Sequence, residues 1–344
     1  MKAKITETKF TSASGRVVQL IGKITCLVLV ILTCSSASAQ NLFVSGRTPS
    51  KNCQGGCGAI FKFTWDARQS IFVSGLIDPW DVAFDSAGNL FVVDYDRGGL
   101  RGNAVIYKIT PTGARTMFAS GLNYPSYLAV DGTGNVFAAD SNQGVIYEYK
   151  PTGSRATFAT GLHHPVGLVF DSSGDLYVAD NGAGMLLGHI YQYKPNGSRG
   201  TFAVLEAGDL PSDLAFGSMG NLLMADLGGK IYRYNPPGIL PPHRRTVFGS
   251  VPGSAQSLAC DSAGNLLVVD AGGVNGFGSD TPNVVYKFTP LGARSTFGSG
   301  SALDETFTCL TVQPVVPVCC DEGYLLQPDP TPRPRPTPWP RPTL

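Results

Sequence analysis

The chain has 344 residues with a formal net charge of +1, so there is no bulk electrostatic basis for binding nucleic acid or an anionic membrane. Only 15% of the residues are charged, whereas glycine (42) and proline (25) are frequent. This composition favours an all-β protein with many tight turns.

Residues 1–39 have the features of an export signal. Basic residues precede an apolar run at residues 24–33, and Ala37-Ser38-Ala39 fits the small-x-small cleavage rule. The run is shorter than the about 20 residues that a membrane-spanning helix needs. We therefore expect cleavage before Gln40 and a secreted or periplasmic protein without a transmembrane helix, with a retained anchor as the alternative.

Six cysteines follow the predicted cleavage site, at positions 53, 57, 260, 309, 319 and 320. An oxidising compartment permits disulfides, and six cysteines allow fifteen pairings. Cys53 and Cys57 lie in one short segment and form the easiest pair to close. A metal site made of these two with Cys319 and Cys320 is the alternative, although no histidine accompanies them.

Five copies of one repeat follow each other along the chain. The turn residue of each copy marks the period, with spacings of 46, 40, 46 and 44 residues between Asn89, Asn135, Asp175, Asn221 and Asn265. A period of this length with several short strands per copy is typical of a β-propeller blade.

Each copy predicts four strands, as the second copy illustrates. Its strands are expected at residues 128–131, 136–140, 145–150 and 156–160. An Asp-x-x-Gly-Asn turn joins the first two strands, and a Pro-Thr-Gly turn joins the last two. The second strand is apolar along its length, which indicates burial on both faces.

The two ends of the repeat region complete a sixth blade. Residues 41–74 contain only the second, third and fourth strands, at residues 42–45, 59–64 and 70–74. Residues 306–313 contain an isolated first strand. Joining the two removes the open sheet edges that invite aggregation. The predicted fold is therefore an all-β, six-bladed propeller of four-stranded antiparallel blades, closed by the C-terminal strand and covering residues 40–315.

The pattern Pro-x-x-Leu-Ala-x-Asp-x-x-Gly-Asn-Leu-Tyr-Val-Ala-Asp resembles the repeats of NHL propellers and of the neighbouring gluconolactonase-like propellers. The resemblance covers residues 41–313. The Asn-His-Arg segment that gives the NHL family its name is absent here. The gluconolactonase-like resemblance implies a divalent metal held by Glu, Asn and Asp side chains at the mouth of the central channel, but the family's N-terminal glutamate has no clear counterpart.

Two ends of the propeller differ in sequence variability. One end carries the repetitive Asp-x-x-Gly-Asn and Pro-Thr-Gly turns, and we call it the turn face. The other end, the loop face, carries the variable loops that enter the first strands and those that join the second and third. Function concentrates where a scaffold tolerates variation. The candidate ligand-binding residues at the channel mouth of the loop face are Trp80, Asp81, Tyr124, Tyr127, His163, His164, Asp213, Gln256 and Glu305.

These candidates have both chemical and structural interpretations. Asp81, Asp213 and Glu305 precede first strands and are candidate oxygen ligands for a divalent cation such as calcium. The pair His163-His164 could supply a general base or could be two ordinary loop residues. The aromatic residues could stack on a sugar or a peptide, or close the channel. The aspartates that recur at the end of the second strand are assigned to capping the following loop, namely Asp94, Asp140, Asp180, Asp226 and Asp270. The aspartates at the start of the Asp-x-x-Gly-Asn turn are assigned to that turn by the same argument, namely Asp85, Asp131, Asp171 and Asp261.

Residues 316–344 combine two cysteines with a Pro/Arg-rich tail that cannot form a packed core. The tail is predicted to be a disordered spacer, with an envelope-binding tail as the alternative. No sequence motif of a nucleophilic hydrolase, a zinc protease or a phosphate loop occurs. We expect a secreted propeller that binds a protein, peptide or carbohydrate through its loop face. The alternative is a metal-dependent hydrolase or lactonase with its site at the channel mouth.

Overall fold

The computed structural model describes residues 40–47, 58–95, 104–182, 187–235, 244–272, 283–298 and 307–314. Within these ranges the chain forms 24 β-strands and no helix. The predicted export signal, the Cys53–Cys57 pair, Glu305 and the Pro/Arg-rich tail lie outside the described residues.

The strands form six four-stranded sheets, which we number as blades in chain order. Blade 1 contains β4 (Pro79–Phe84), β5 (Leu90–Asp94), β6 (Ala104–Ile109) and β7 (Arg115–Leu122). Blade 2 contains β8 (Pro125–Val130), β9 (Val136–Asp140), β10 (Val145–Tyr149) and β11 (Arg155–Ala159). Blade 3 contains β12 (Pro165–Phe170), β13 (Leu176–Asp180), β14 (His189–Tyr193) and β15 (Arg199–Val204). Blade 4 contains β16 (Pro211–Phe216), β17 (Leu222–Asp226), β18 (Lys230–Tyr234) and β19 (Arg245–Ser250). Blade 5 contains β20 (Ala255–Cys260), β21 (Leu266–Asp270), β22 (Val284–Phe288) and β23 (Arg294–Gly298). Blade 6 contains β24 (Phe307–Val312), β1 (Leu42–Arg47), β2 (Gly58–Phe63) and β3 (Gln69–Leu76).

The blades form a closed ring around a central channel. The first strand of each blade lies innermost and contacts the first strand of the next blade, and the contact between β24 and β4 completes the circle. All pairings within the blades are antiparallel. The predicted six-bladed propeller is therefore confirmed.

Blade 6 joins the two ends of the described chain, as the sequence predicts. Leu42 of β1 pairs with Val312 of β24. The amide of Gln313 donates to the carbonyl of Asn41 (2.9 Å), and the side-chain amide of Asn41 donates to Oε1 of Gln313 (2.9 Å). Gln40, the predicted first mature residue, donates through Nε2 to the carbonyl of Gln313 (3.1 Å). Strand pairing and side-chain hydrogen bonds thus both close the ring.

Aromatic residues fill the space between blades. The second strands are fully buried, which confirms the burial predicted from their apolar sequences. Phe137 of β9 packs edge-on against Phe170 of blade 3, with ring centroids 5.0 Å apart. Phe158, from the repeated Thr-Phe of the fourth strand, lies 5.7 Å from Tyr193 of the same neighbour. The repeated aromatic positions therefore join adjacent blades into a continuous core.

The repeated turn aspartates have the structural role that was predicted. Oδ1 of Asp131 accepts the amides of Thr133 (2.8 Å) and Asn135 (2.9 Å), and Oδ2 accepts the side-chain amide of Asn135 (2.8 Å). Partial burial alone would raise the pKa of Asp131, but these hydrogen bonds outweigh it and hold the pKa below its ordinary value. Asp85 and Asp261 bind the backbone and side-chain amides of their own turn asparagines in the same way.

The aspartates at the ends of the second strands organise the loop face. Asp180 accepts the amides of His163 (3.0 Å) and His164 (2.7 Å) in the loop that enters β12. Asp226 accepts the amide of Leu210 (2.7 Å) before β16 and that of Gly228 (2.7 Å) after β17. The prediction of a cap for the following loop is confirmed. The structure adds that the same carboxylates hold the loop entering the first strand.

Candidate functional site

A register shift in each inner strand directs one side chain towards the channel. The strand pairs β4–β5, β8–β9, β12–β13, β16–β17 and β20–β21 all shift register beside the third residue of the inner strand, and the pair of β1 with β24 also shifts. Such bulges locally re-aim a side chain. The third residues of the six inner strands form what we call the third-position ring: Asp81, Tyr127, Gly167, Asp213, Ser257 and Cys309.

Side chains of this ring bridge neighbouring blades. Asp81 accepts the amide of Leu128 from blade 2 at 2.5 Å. Asp213 accepts the amide of Leu258 from blade 5 at 2.8 Å. These amides belong to the inner edge strands, where they would otherwise face the channel without a partner in their own sheet. The carboxylates therefore satisfy buried backbone donors and link adjacent blades.

Further hydrogen bonds extend the ring to the closing blade. The hydroxyl of Ser257 donates to Oδ2 of Asp213 (2.8 Å) and accepts the amide of Leu310 from β24 (3.2 Å). The thiol of Cys309 lies close to both Ser257 and Asp81. Blades 4, 5 and 6 are thus connected in order by hydrogen bonds of ring side chains.

The two carboxyl groups of the ring titrate far above ordinary aspartates. Burial raises the pKa of Asp81 to about 7, and the negative charge of Asp213 adds to this effect. Burial also raises the pKa of Asp213 to about 6, against the opposing hydrogen bonds from Leu258 and Ser257. Burial keeps the pKa of the Cys309 thiol and the Tyr127 hydroxyl well above their usual ranges. Near neutral pH the pair can both donate and accept protons.

Gly167 is the one ring member without a side chain. Its backbone has a φ of +64°, a conformation that favours glycine. A Cβ at this position would lie 2.9 Å from both the Cα of Asp213 and the backbone nitrogen of Leu214. Glycine therefore lets blade 3 approach the backbone beside the Asp213 carboxyl group.

A cavity of about 520 Å³ occupies the channel on one side of the ring. Asp81, Tyr127 and Asp213 line its inner end, and the turn residues Ser86 and Gly132, both solvent-exposed, line its outer end. The cavity thus opens at the turn face. Its walls between these ends are apolar, formed by the fourth to sixth residues of the inner strands.

The predicted site residues divide between the two faces. Asp81, Tyr127 and Asp213 line the cavity, and all three lie within inner strands rather than in the loops before them. The other described candidates lie at the loop face and do not line the cavity: Trp80, Tyr124, His163, His164 and Gln256. The cavity on the turn face was not expected from the sequence, because loop variability drew attention to the opposite end.

Trp80 and Tyr124 flank a third aromatic residue that the sequence did not single out. The ring centroid of Tyr95 lies 6.2 Å from that of Trp80 and 5.3 Å from that of Tyr124. The Tyr95 hydroxyl donates to the carbonyl of Pro125 at 2.6 Å, across the boundary between blades 1 and 2. Trp80 and Tyr124 are half-buried and Tyr95 is buried. The three form what we call the aromatic cluster.

The exposed histidines do not belong to a catalytic arrangement among the described residues. His163 and His164 are both exposed, and their backbone amides donate to Asp180. Gln256 is half-buried beside the ring residue Ser257. In blade 6 the third residue of the inner strand is Cys309, whereas Glu305, predicted as a third oxygen ligand, lies outside the described residues.

The described residues do not fit a divalent metal. Within the described ranges, no three His, Cys, Asp or Glu side chains come together as a metal-binding group. Asp81 and Asp213 already accept backbone amides from the neighbouring blades. Calcium prefers six to eight oxygen ligands, which these two carboxylates and their apolar surroundings do not supply.

Ser257 and Cys309 are ring members that sequence reasoning missed. The sequence did contain a signal for Cys309. Leu310 aligns with Leu128 in the repeat, so Cys309 occupies the repeat position that Tyr127 has in the second copy. Both described cysteines, Cys260 and Cys309, are free thiols. Neither takes part in the disulfide framework that an exported chain permits.

The fold and its channel define a six-bladed β-propeller similar in architecture to gluconolactonases. A gluconolactonase from Xanthomonas campestris has a TM-score of 0.54 at 16% identity, covering 77% of this chain and 87% of that one. A putative gluconolactonase has a TM-score of 0.51 at 17% identity, covering 65% and 79%. A protein of unknown function from Bacteroides caccae has a TM-score of 0.53 at 15% identity, covering 80% and 99%.

At these identities the likeness concerns the fold alone. No protein-family profile matches the chain. No curated protein matches it either. In the part of the chain that the structure describes, no helix is long and apolar enough to cross a bilayer.

Proposed function

We propose that the chain is an exported ligand-binding propeller that recognises a carbohydrate or peptide through its loop face. The observation that carries this proposal is the aromatic cluster. Trp80 and Tyr124 keep part of their ring surface accessible, whereas Tyr95 between them is buried and anchored to Pro125. Rigid, half-exposed aromatic rings supply contact area at low entropic cost, and they stack on sugars and on peptide groups.

The loops around the cluster are held in place by the fold. Asp94 accepts the amides of Ile77 (2.9 Å) and Asp78 (2.8 Å), which lie three and two residues before Trp80. Ser141 donates its hydroxyl to the carbonyl of Pro165 (2.6 Å), linking blade 2 to the loop that carries His163 and His164. A binding surface that spans blades 1 to 3 would therefore be preorganised, which reduces the cost of ordering on binding.

The competing assignment is a metal-dependent lactonase or other hydrolase. It draws on the resemblance of the repeats, whereas the described residues bring no three His, Cys, Asp or Glu side chains together as a metal-binding group. The binding proposal is therefore preferred.

The test is an array of oligosaccharides and short peptides probed with the purified chain. The double variant Trp80→Ala/Tyr124→Ala is expected to lose at least tenfold in affinity for the probes that the native chain binds. Met117→Ala, which removes an exposed side chain from the outer strand of blade 1, is the matched control. Native-like binding by the double variant would contradict the proposal.

The hydrolase assignment is tested separately. Calcium-dependent turnover of a sugar lactone by the native chain, lost in Asp81→Asn, would replace the binding proposal with the enzymatic one. We expect no effect of calcium on either the melting temperature or lactone hydrolysis.

Export and envelope contact form a separate part of the proposal. We propose cleavage before Gln40, with the Pro/Arg-rich tail contacting the cell envelope. Mass spectrometry of the exported protein should give a first residue at position 40, and deletion of residues 316–344 should release it from the cell fraction. Retention of the full N-terminus, or unchanged cell association after the deletion, would contradict these two points respectively.

A further inference from the structure

The charged side chains that line the channel cavity are all acidic among the described residues. Four aspartates line it, namely Asp81, Asp85, Asp131 and Asp213, and none of the described residues that line it is a lysine, arginine or histidine. Asp85 and Asp131 are engaged by their own turns near the mouth. The carboxyl groups of Asp81 and Asp213 lie at the inner end. A cleft lined by charges of one sign between low-dielectric walls concentrates ions of the opposite sign.

A second observation concerns the Tyr127 hydroxyl at the inner end of the cavity. Tyr127 is only 7% exposed, yet its environment includes no hydrogen bond from any described residue to the hydroxyl. Its nearest charged and titratable neighbours are Cys309, Asp213 and Asp81 from blades 6, 4 and 1, so the hydroxyl lies towards the channel axis. Because Tyr127 lines the cavity, a ligand held there can accept from or donate to this hydroxyl.

We propose that the cavity binds a small organic cation, with a primary ammonium group at Asp81, Asp213 and Tyr127 and an apolar body along the channel walls. This site is separate from the loop-face surface and does not depend on it. An ammonium group donates three hydrogen bonds, and carboxylates and a hydroxyl oxygen are suitable acceptors.

The apolar side chains of the cavity walls favour an organic cation over an inorganic one. Phe84, Phe170 and Phe216 line the cavity together with leucine and alanine side chains of the inner strands. These residues offer an apolar ligand body a surface that water would vacate on binding. Inorganic cations instead require several oxygen ligands. The volume of about 520 Å³ is within the range of small-molecule pockets.

The test compares three probes of matched length: hexylammonium, hexan-1-ol and hexanoate. Isothermal titration of the full chain is expected to give at least tenfold tighter binding of hexylammonium than of hexan-1-ol, and no binding of hexanoate. Equal affinity for hexylammonium and hexan-1-ol, or no binding of hexylammonium, would overturn the proposal.

Four variants test whether hexylammonium binds in the channel cavity. Asp213→Asn is expected to weaken hexylammonium binding at least tenfold, and Tyr127→Phe severalfold. Ala259→Phe, which fills the cavity without changing charge, should abolish binding even if Asp213→Asn fails to fold. Glu148→Gln removes the same charge from a residue outside the cavity and should bind normally. Unchanged binding in Ala259→Phe would place the cation elsewhere and refute the site.

Two further measurements separate this site from other interpretations. The Trp80→Ala/Tyr124→Ala variant should bind hexylammonium as the native chain does, because the aromatic cluster lies at the other face. Calcium chloride should not displace hexylammonium at millimolar concentration. Displacement by calcium that disappears in Asp213→Asn would instead identify an inorganic cation site and overturn the proposal.

Discussion

Ser257 donates its hydroxyl hydrogen to Asp213 in the preceding blade, over 2.8 Å. Both residues belong to the inner edge strands of their sheets, where no further strand can pair with the backbone. Side chains of the third-position ring therefore take over the role that a neighbouring strand would have. The result is a polar belt around the channel whose two carboxyl groups are strongly desolvated.

The desolvated carboxyl group of Asp81 should make stability depend on pH. Its folded-state pKa of about 7 is raised above the unfolded value of about 3.9. At pH values between these two pKa values, Asp81 is protonated in the folded state but ionised in the unfolded state. The free energy of unfolding therefore falls as the pH rises towards 7. Denaturant unfolding should show that the free energy of unfolding decreases between pH 5 and pH 8. This decrease should be larger in the native chain than in Asp81→Asn by on the order of 2 kcal/mol. Equal decreases in the two proteins would contradict the assignment.

The loop cap formed by Asp180 should matter for stability. Asp180 is 1% exposed, and Asp180→Ala would leave the amides of His163 and His164 without their acceptor. A loss of about 2–4 kcal/mol in the free energy of unfolding is expected, since two charge-assisted hydrogen bonds are removed. Glu148→Ala, which removes a surface ion pair with Lys150, should change it by less than about 0.5 kcal/mol. A loss in Asp180→Ala no larger than in the control would rule out the cap.

The closing strand should contribute strongly to the cohesion of the ring. Leu310 of β24 is 4% exposed and packs into a core shared by blades 5 and 6. Leu310→Ala is expected to cost about 2–5 kcal/mol, measured by denaturant unfolding. Leu291→Ala removes the same atoms from a side chain that is 95% exposed and should be nearly neutral. Similar values for the two variants would mean that blade 6 is loosely packed.

Gly167 should not tolerate even one methyl group. Gly167→Ala combines an unfavourable positive φ with a contact of 2.9 Å to the backbone of Asp213. A decrease in melting temperature of several degrees is expected, corresponding to about 2 kcal/mol or more. Gly200→Ala has open space around the added Cβ and should melt at or above the native temperature. A native melting temperature in Gly167→Ala would show that the backbone there can shift without cost.

The repeat was sufficient to predict the architecture, because turn chemistry and strand burial are local properties that recur at a fixed spacing. The composite blade followed from the same logic, since residues 41–74 lack a first strand and residues 306–313 supply one. The structural roles of Asp131 and Asp180 were also predictable, because the first position is aspartate in four of the five copies and the second in all five. Residues that recur in this way serve what the repeated fold needs.

The candidate site was less predictable for a geometric reason. A register shift decides which side chain of an inner strand reaches the channel, and no local pattern marks such a shift. Asp81, Tyr127 and Asp213 were chosen because they do not repeat, but the sequence placed them at the loop face. In the structure they form the inner end of a cavity that opens at the turn face. Cys309 was overlooked because it appeared only as one member of a cysteine count.

Because blade 6 joins both ends of the ring, it also determines which face of the propeller would point towards a surface to which either end is attached. Asn41 and Gln313 lie side by side at the turn face, so both ends of the ring leave the propeller there. An anchor retained at the N-terminus and a tail bound at the C-terminus would therefore pull on the same side. Either attachment would direct the aromatic cluster away from the anchoring surface, where large partners have access, and would turn the cavity mouth towards it.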